Sequence, residues 1–487
     1  NISHLIASMA HVALRFLASA LAIFEAAALW SDWVYQQGSA ADDTCISVSS
    51  DSSGDVVVAG YTSGDFAGTS QGNQDIIVLK LSSAGLLKWS VQIGTAADDH
   101  GFSLAIDSSD MIFVCGSTGG SLDGQTYNGG VADAFIMKLN PNGALQWTVR
   151  RGSIGKSDRF MDIAADASGV VGVGWATGSL DGYTAQGGRD FVLQRFDSAG
   201  VWQWTRMRGS TTAHDEARAV QLDSDGNILV LGQTDGNMDG YANAGGTDSA
   251  LVKYDSAGTW LATIQLGTSG DDIFWCLGLD AGGNIHVGGH TTGSFPGFAN
   301  AGSSDINLVK LNASFSILGM TQRGSTGPDI ARELAIDTAN EYLYLAGYST
   351  GLLDGRSTTD SEAFIMQFDL AGAWISTTFH GTSGEETVGG FHLDVSNTFL
   401  MTGSTTGSFS GFSNAGDKDI YVSKPLQTTT TTTTFTSTTL SSTSSSPTTA
   451  SSTASRTTTS ITTTLSTITI TRTTSTSSTS STSSTSS

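Results

Sequence analysis

Seven short stretches decide how this chain is read. The first is Val56-Val-Val-Ala-Gly60, an apolar run closed by a glycine. It returns as Ile112-Phe-Val-Cys-Gly116, Val170-Val-Gly-Val-Gly174, Ile228-Leu-Val-Leu-Gly232, Ile285-His-Val-Gly-Gly289, Tyr342-Leu-Tyr-Leu-Ala-Gly347 and Phe399-Leu-Met-Thr-Gly403. The closing glycines stand 56 to 58 residues apart. A second marker keeps the same phase. An acidic residue opens an apolar run at Asp75, Asp133, Asp190, Asp248, Asp305, Glu362 and Asp419. A third is a glycine shortly ahead of acidic residues, at Gly38, Gly94, Gly152, Gly209, Gly267, Gly324 and Gly381. Three markers in one phase, seven times over, define seven copies of one supersecondary unit.

Each copy holds four runs of strand character. In the second copy they are Leu87 to Ile93, Phe102 to Ile106, Met111 to Gly116 and Ala134 to Leu139. Turn formers separate them, as in Asp107-Ser-Ser-Asp110 and Asn140-Pro-Asn-Gly143. No copy carries a helical period. Ile76-Ile-Val-Leu79 and Phe135-Ile-Met-Lys-Leu139 do not alternate cleanly, so both faces of each small sheet need cover. Radial stacking provides it. The expected fold is therefore all-β: a seven-bladed β-propeller of four-stranded antiparallel blades, with a disordered Ser/Thr-rich C-terminal tail. A β-solenoid is the runner-up, but its rungs are shorter and need no fixed copy number.

The register predicts how the ring closes. Trp33 lies in a segment matching Trp89, Trp147 and Trp204, so the N-terminal side carries a spare outer strand. The last copy ends at Ile420-Tyr-Val-Ser-Lys424 and lacks one. Pairing the two removes the exposed edges and places residues near 33 beside those near 422. The tryptophans themselves read as wedges between blades, since later copies carry Leu261, Leu318 and Ile375 nearby.

The unit resembles the SBBP type of β-propeller repeat. The likeness is clearest from Gly116 through Gly130, Asp133, Phe135, Lys138, Leu139, Gly143 and Trp147 to Gly152 and Asp158. It covers residues 31–426 and departs at Glu362, near Phe315 and at Lys424-Pro425. The resemblance implies a secreted or surface propeller and supplies no catalytic residues to carry over.

Composition divides the chain into three. Residues 1–30 run from His4, His11 and Arg15 through an apolar stretch to Ala26, Ala27 and Ala28, the order of a signal peptide or hydrophobic leader. Glu25 is costly in a bilayer, so no stable membrane span is expected after leader cleavage. Residues 31–426 form the propeller. Of the 61 residues from 427 to 487, 49 are Ser or Thr, which reads as an O-glycosylated, low-complexity stalk. Lys+Arg is 22 against 45 Asp+Glu, a net charge of −23, which argues against nucleic acid as a partner.

Candidate sites are few. Asp123, Asp181, Asp239 and Asp354 share one phase in a glycine-rich loop between the third and fourth runs, where calcium is the expected ion. A turn-forming role for the same Asp and Gly residues is the preferred reading, and calcium binding the alternative. A second acidic set includes Asp43, Asp99, Asp158, Asp215, Asp272, Asp329 and Glu386. It reads either as an anionic ring near the channel or, preferably, as caps on adjacent backbone. Glu216 falls in that set, and the histidines His100, His214, His286 and His290 read as incidental. Cys45, Cys115 and Cys276 read as buried thiols, or as one pair plus a free thiol. Asn312-Ala-Ser314 is an N-glycosylation acceptor.

Three functional classes follow. The first is a non-enzymatic secreted or cell-surface scaffold whose loops bind a protein or glycan ligand. The second is a structural wall or matrix component. The third is a channel-sited hydrolase or lyase. A uniform polar surface favours the second, an exposed aromatic patch the first, and an asymmetric His, Arg or carboxylate cluster at one mouth the third.

Overall fold

The runs read as apolar on both faces are buried on both faces. In the computed structural model, Val56–Thr62 and Asp75–Leu81 are almost wholly inaccessible, whereas Leu87–Ile93 beyond them is partly exposed. The chain divides into two units, Asn1–Pro425 and Leu426–Ser487. The structure describes residues 31–211, 213–357 and 360–425, and in the second unit a pairing of Thr430–Thr431 with Arg472–Thr473. Residues 1–30, read above as a leader, and the remainder of the Ser/Thr tail lie outside the described residues.

Seven four-stranded antiparallel sheets make up the first unit. The first blade runs Asp43–Ser50, Val56–Thr62, Asp75–Leu81, Leu87–Ile93. The expected second-copy strand Leu87–Ile93 is thus the outer strand of the first blade. The inner strands of the next six blades are Asp99–Ile106, Asp158–Asp166, Asp215–Leu222, Asp272–Leu279, Asp329–Asp337 and Gly390–Leu393. Each inner strand contacts the one before and the one after it, and the seventh contacts the first, so together they ring a central channel. Outside them, apolar side chains interdigitate between successive blades. Val57, Ile76 and Val78 of the first pack with Val114, Phe135 and Met137 of the second.

The repeat glycine has a local cause. In six blades the ladder between inner and second strand skips one residue: Ile46, Phe102, Met161, Arg218, Trp275 or Arg332. Such a bulge bends the strand and re-aims the extra side chain. The glycine lies opposite the residue before the bulge, where the two backbones nearly touch. A Cβ on Gly174 would sit 1.9 Å from the Arg159 carbonyl oxygen. The second and third markers also sit against each other: a Cβ on Gly94 would fall 1.9 Å from an Asp75 carboxylate oxygen. Phe315, the departure from the repeat pattern, adopts φ 65° at the turn position where Gly143 and Gly200 stand. Its buried ring packs beside Leu311 and Val309.

The ring closes as the register predicted. Ser31–Gln37 pairs antiparallel with Asp419–Pro425, with Tyr35 opposite Val422. Gln36 also takes the role of a fourth-strand amide. It donates to Asp419 at 2.9 Å, as Gln92 does to Asp75 at 2.8 Å. Trp33 donates to the Ser83 carbonyl and covers Gly85, just as Trp89 donates to the Pro141 carbonyl and covers Gly143. These tryptophans are wedges between one blade and the outer turn of the next.

Deleting residues 31–37 is expected to lower the melting temperature and to make the chain associate through the bared Asp419–Pro425 edge. Thermal melting with light scattering checks this; an unchanged melt and a monodisperse product would contradict the closure.

Candidate functional site

The recurrent carboxylates at the start of the inner strands are clasps, not an open anionic ring. Asp43, Asp99, Asp158, Asp215, Asp272, Asp329 and Glu386 are all buried. The backbone N–H of Ser39, Thr95, Ser153, Ser210, Thr268 or Ser325 donates to its blade's Asp at 2.5–2.6 Å. A hydroxyl at the end of the second strand donates as well, for example Thr62 to Asp43 and Thr405 to Glu386. In the third blade Ala176 stands there, and Asp158 takes the Ser153 hydroxyl instead. Burial raises all seven carboxyl pKa values, Asp158 to about 6.

The four carboxylates read as calcium ligands lie in four different blades. Each takes a left-handed backbone, φ 49° to 52°. Asp123 is exposed. The other three each pair with an arginine of the preceding blade: Asp181 with Arg151, Asp239 with Arg208 at 2.6 Å, Asp354 with Arg323. Each also accepts from a fourth-strand threonine: Thr205, Thr263 or Thr377. That threonine accepts from the indole of Trp202, Trp260 or Trp374 at 2.9–3.0 Å, and the arginine lies over the same ring. The result is a stitch of Arg, Trp, Thr and Asp across a blade boundary. The second blade has Ile93 and Leu145 where the stitch has Arg and Trp. This covariation was present in the sequence as a signal and is why Asp123 alone has no guanidinium. The three rim tryptophans are 39–45% exposed and lie one to a blade.

Asn312 uses its side-chain oxygen to accept from the Ser314 and Ser316 N–H groups at 3.0 and 2.9 Å, in an exposed turn. The three cysteines are free and buried. His286 sits beside Asp280 at 3.1 Å, and His290 accepts from the Trp275 indole at 3.2 Å.

The distinctive chemistry lies in the channel and at its mouth. The channel encloses about 430 Å³ and is lined by all seven inner strands. The bulged position contributes Ile46, Phe102, Met161, Arg218, Trp275 and Arg332, with Gly389 in the seventh blade. One residue deeper, Asp162 and Glu333 line the wall. Asp162 accepts from the Ser103 hydroxyl at 2.6 Å and the Val220 N–H at 2.7 Å. Burial raises it to about 6. Burial, and then Asp162 itself, raises Glu333 to about 8.

A pocket of about 460 Å³ adjoins the channel and shares Met161 and Arg218 with it. Arg159, Arg189 and Trp175 line its mouth. Glu216 bridges Arg189 and Arg218. Arg189 lies 4.4 Å from the Trp175 ring centre, and Arg218 and Arg332 lie 4.7 and 3.9 Å from that of Trp275. His100 stacks on Phe102 beside this group. Burial, and then Arg159, lowers His100 to about 4; burial, and then Arg332, lowers His290 to about 4. Both are neutral at pH 7. Reading these histidines as incidental missed that they flank the mouth. The sequence offered no period to find it, because the mouth residues differ from blade to blade.

Two tests follow. In buffer with a calcium chelator, Asp239→Asn should cost about 1 kcal/mol of stability, the scale of a partly buried ion pair over an aromatic ring. Asp123→Asn should cost nothing measurable, and urea unfolding compares the two. The second test is pH. Asp158, Asp162 and Glu333 hold protons more tightly folded than unfolded, so their contribution is full below pH ~4 and is lost as pH rises through those values. Asp337 and Asp394 behave oppositely. Burial works against their ionisation, but hydrogen bonds from Asn340 and from Thr398 outweigh it and lower both. Their contribution is lost as acid protonates them. Melting temperature should therefore peak near pH ~5, and Glu333→Gln should flatten the alkaline side.

No family model matches the chain. The regulatory protein FlaEY of Caulobacter vibrioides is 25% identical over 349 residues, covering 62% of this chain and 35% of that protein. The chain thus spans about a third of that relative's length. Among solved structures, a polysaccharide lyase described as an ulvan lyase superposes at a TM-score of 0.50 with 14% identity, covering 80% of this chain and 96% of that one. A protein from Lactobacillus plantarum gives 0.45 with 13% identity, covering 75% and 96%. At these identities the likeness is one of fold, and the fold of this chain is the seven-bladed β-propeller.

Proposed function

We propose that the protein is a secreted or cell-surface binding scaffold whose ligand docks at the channel mouth. One observation carries this reading. Positions that hold the frame are filled alike in nearly every blade, as the clasp carboxylates are. The bulged position has the same backbone in six blades, yet Ile46, Phe102, Met161, Arg218, Trp275 and Arg332 supply five different residue types. A purely structural ring gains nothing from that variety, whereas an asymmetric ligand needs it. The leader, the Ser/Thr tail and the likeness to SBBP-type repeats support a surface location. Protein and glycan are both compatible with a rigid mouth of this size.

A second reading is a channel-sited lyase or hydrolase. Its support is the asymmetric arginine cluster with Asp162 and Glu333 behind it, two carboxyls held at different pKa values.

The test is a binding screen of the full chain against glycan and protein arrays, repeated with Trp275→Ala and Arg218→Ala. A ligand lost from both variants, with clasp and melt intact, is the expected result. Binding indifferent to both substitutions would overturn the mouth as the site. Product release that depends on Glu333 would favour the second reading.

A further inference from the structure

Four guanidiniums converge in a chain whose net charge is −23. Arg159, Arg189, Arg218 and Arg332 come from three blades and repel one another: burial, and then Arg332, Arg189 and Arg159 in turn, lowers Arg218 to about 10. One carboxylate, Glu216, answers two of them. Among the described residues, neither Arg159 nor Arg332 has an ion-pair partner. Asp98 acts on Arg159 through space without pairing with it. The Arg159 Nε is buried and makes no hydrogen bond. Bringing like charges together without a counterion costs stability, and the rest of the frame shows no need for it. The three stitch arginines, by contrast, each meet an aspartate.

Resting on the mouth as the binding site, we infer that this crescent is an oxyanion site for an acidic saccharide, holding the carboxylate or sulfate of one unit at Arg159 in the pocket and that of another at Arg332 on the channel side, with Arg218 lining both. Guanidinium forks match the geometry of such groups and can hold them bidentately. The concave pocket of about 460 Å³ admits a ring-sized unit, and it is lined by Ser157 and Thr177 hydroxyls as well as arginine. A folded acidic protein would need a broader, flatter contact.

The experiment is calorimetric titration of the full chain with tetragalacturonate, its methyl ester, galacturonate monomer, inorganic sulfate and polyglutamate. Tetragalacturonate should bind, the neutral ester about tenfold more weakly, and sulfate should compete. Arg159→Gln and Arg332→Gln should each weaken binding about tenfold. Arg195→Gln, which breaks a rim pair with Asp166, should leave it unchanged. Arg332→Gln should melt no lower than the parent, since it relieves repulsion, and Arg332→Lys should bind at an intermediate level because it keeps charge but loses the fork. Equal binding of ester and acid, indifference to both arginine substitutions, monomer binding as tightly as tetramer, or binding of polyglutamate alone would overturn the acidic-saccharide site. A neutral ligand that still depends on Trp275 would leave the mouth as binding site and remove only its anion chemistry. If no ligand of the full chain depends on the mouth, both fall.

Discussion

The buried carboxylate at the head of each inner strand is the interaction on which the propeller depends. It is inaccessible to water, it accepts from the N–H of the incoming loop, and in six of the seven blades it also receives a hydroxyl from the strand beside it. A buried carboxylate without such donors would be strongly destabilising. With them, it fixes where one blade ends and the next begins. In six blades the inner strand starts at this carboxylate, and the bulge that follows projects the next side chain into the channel. The whole lining of the mouth is set by this one recurring bond pattern.

The frame and the mouth therefore obey different rules. Frame positions repeat because each copy solves one steric problem: glycine where backbone meets backbone, aspartate where loop N–H groups need an acceptor, tryptophan where the next blade's turn needs a cover. Mouth positions share a backbone but no such problem, so nothing local dictates their identity. The stitches at the rim fall between these cases. They recur only in blades where arginine, tryptophan, threonine and aspartate occur together.

That division explains what could be read in the sequence. Copy number, strand order and ring closure were legible because Gly60, Asp75, Gly94 and their equivalents recur in phase. The capping role of Asp43 and its equivalents was legible for the same reason. Asp181, Asp239 and Asp354 also recur, but their partners sit in neighbouring blades about 30 residues away, so their role as stitches needed the packing. The arginine crescent was hidden altogether. Arg159, Arg218 and Arg332 lie 59 and then 114 residues apart and meet only because the ring closes.

The closing pair of strands has a mechanical consequence. Ser31 and Pro425 are opposite one another, at the same end of their ladder. A pull that separates the two chain ends therefore loads the hydrogen bonds one rung at a time, from the terminal rung inward. Bonds loaded in sequence yield at far lower force than bonds sheared together. Among the described residues the circle of blades is joined at this one pairing of first and last strands, a seam that opens like a zipper when the chain is tugged on either side of it.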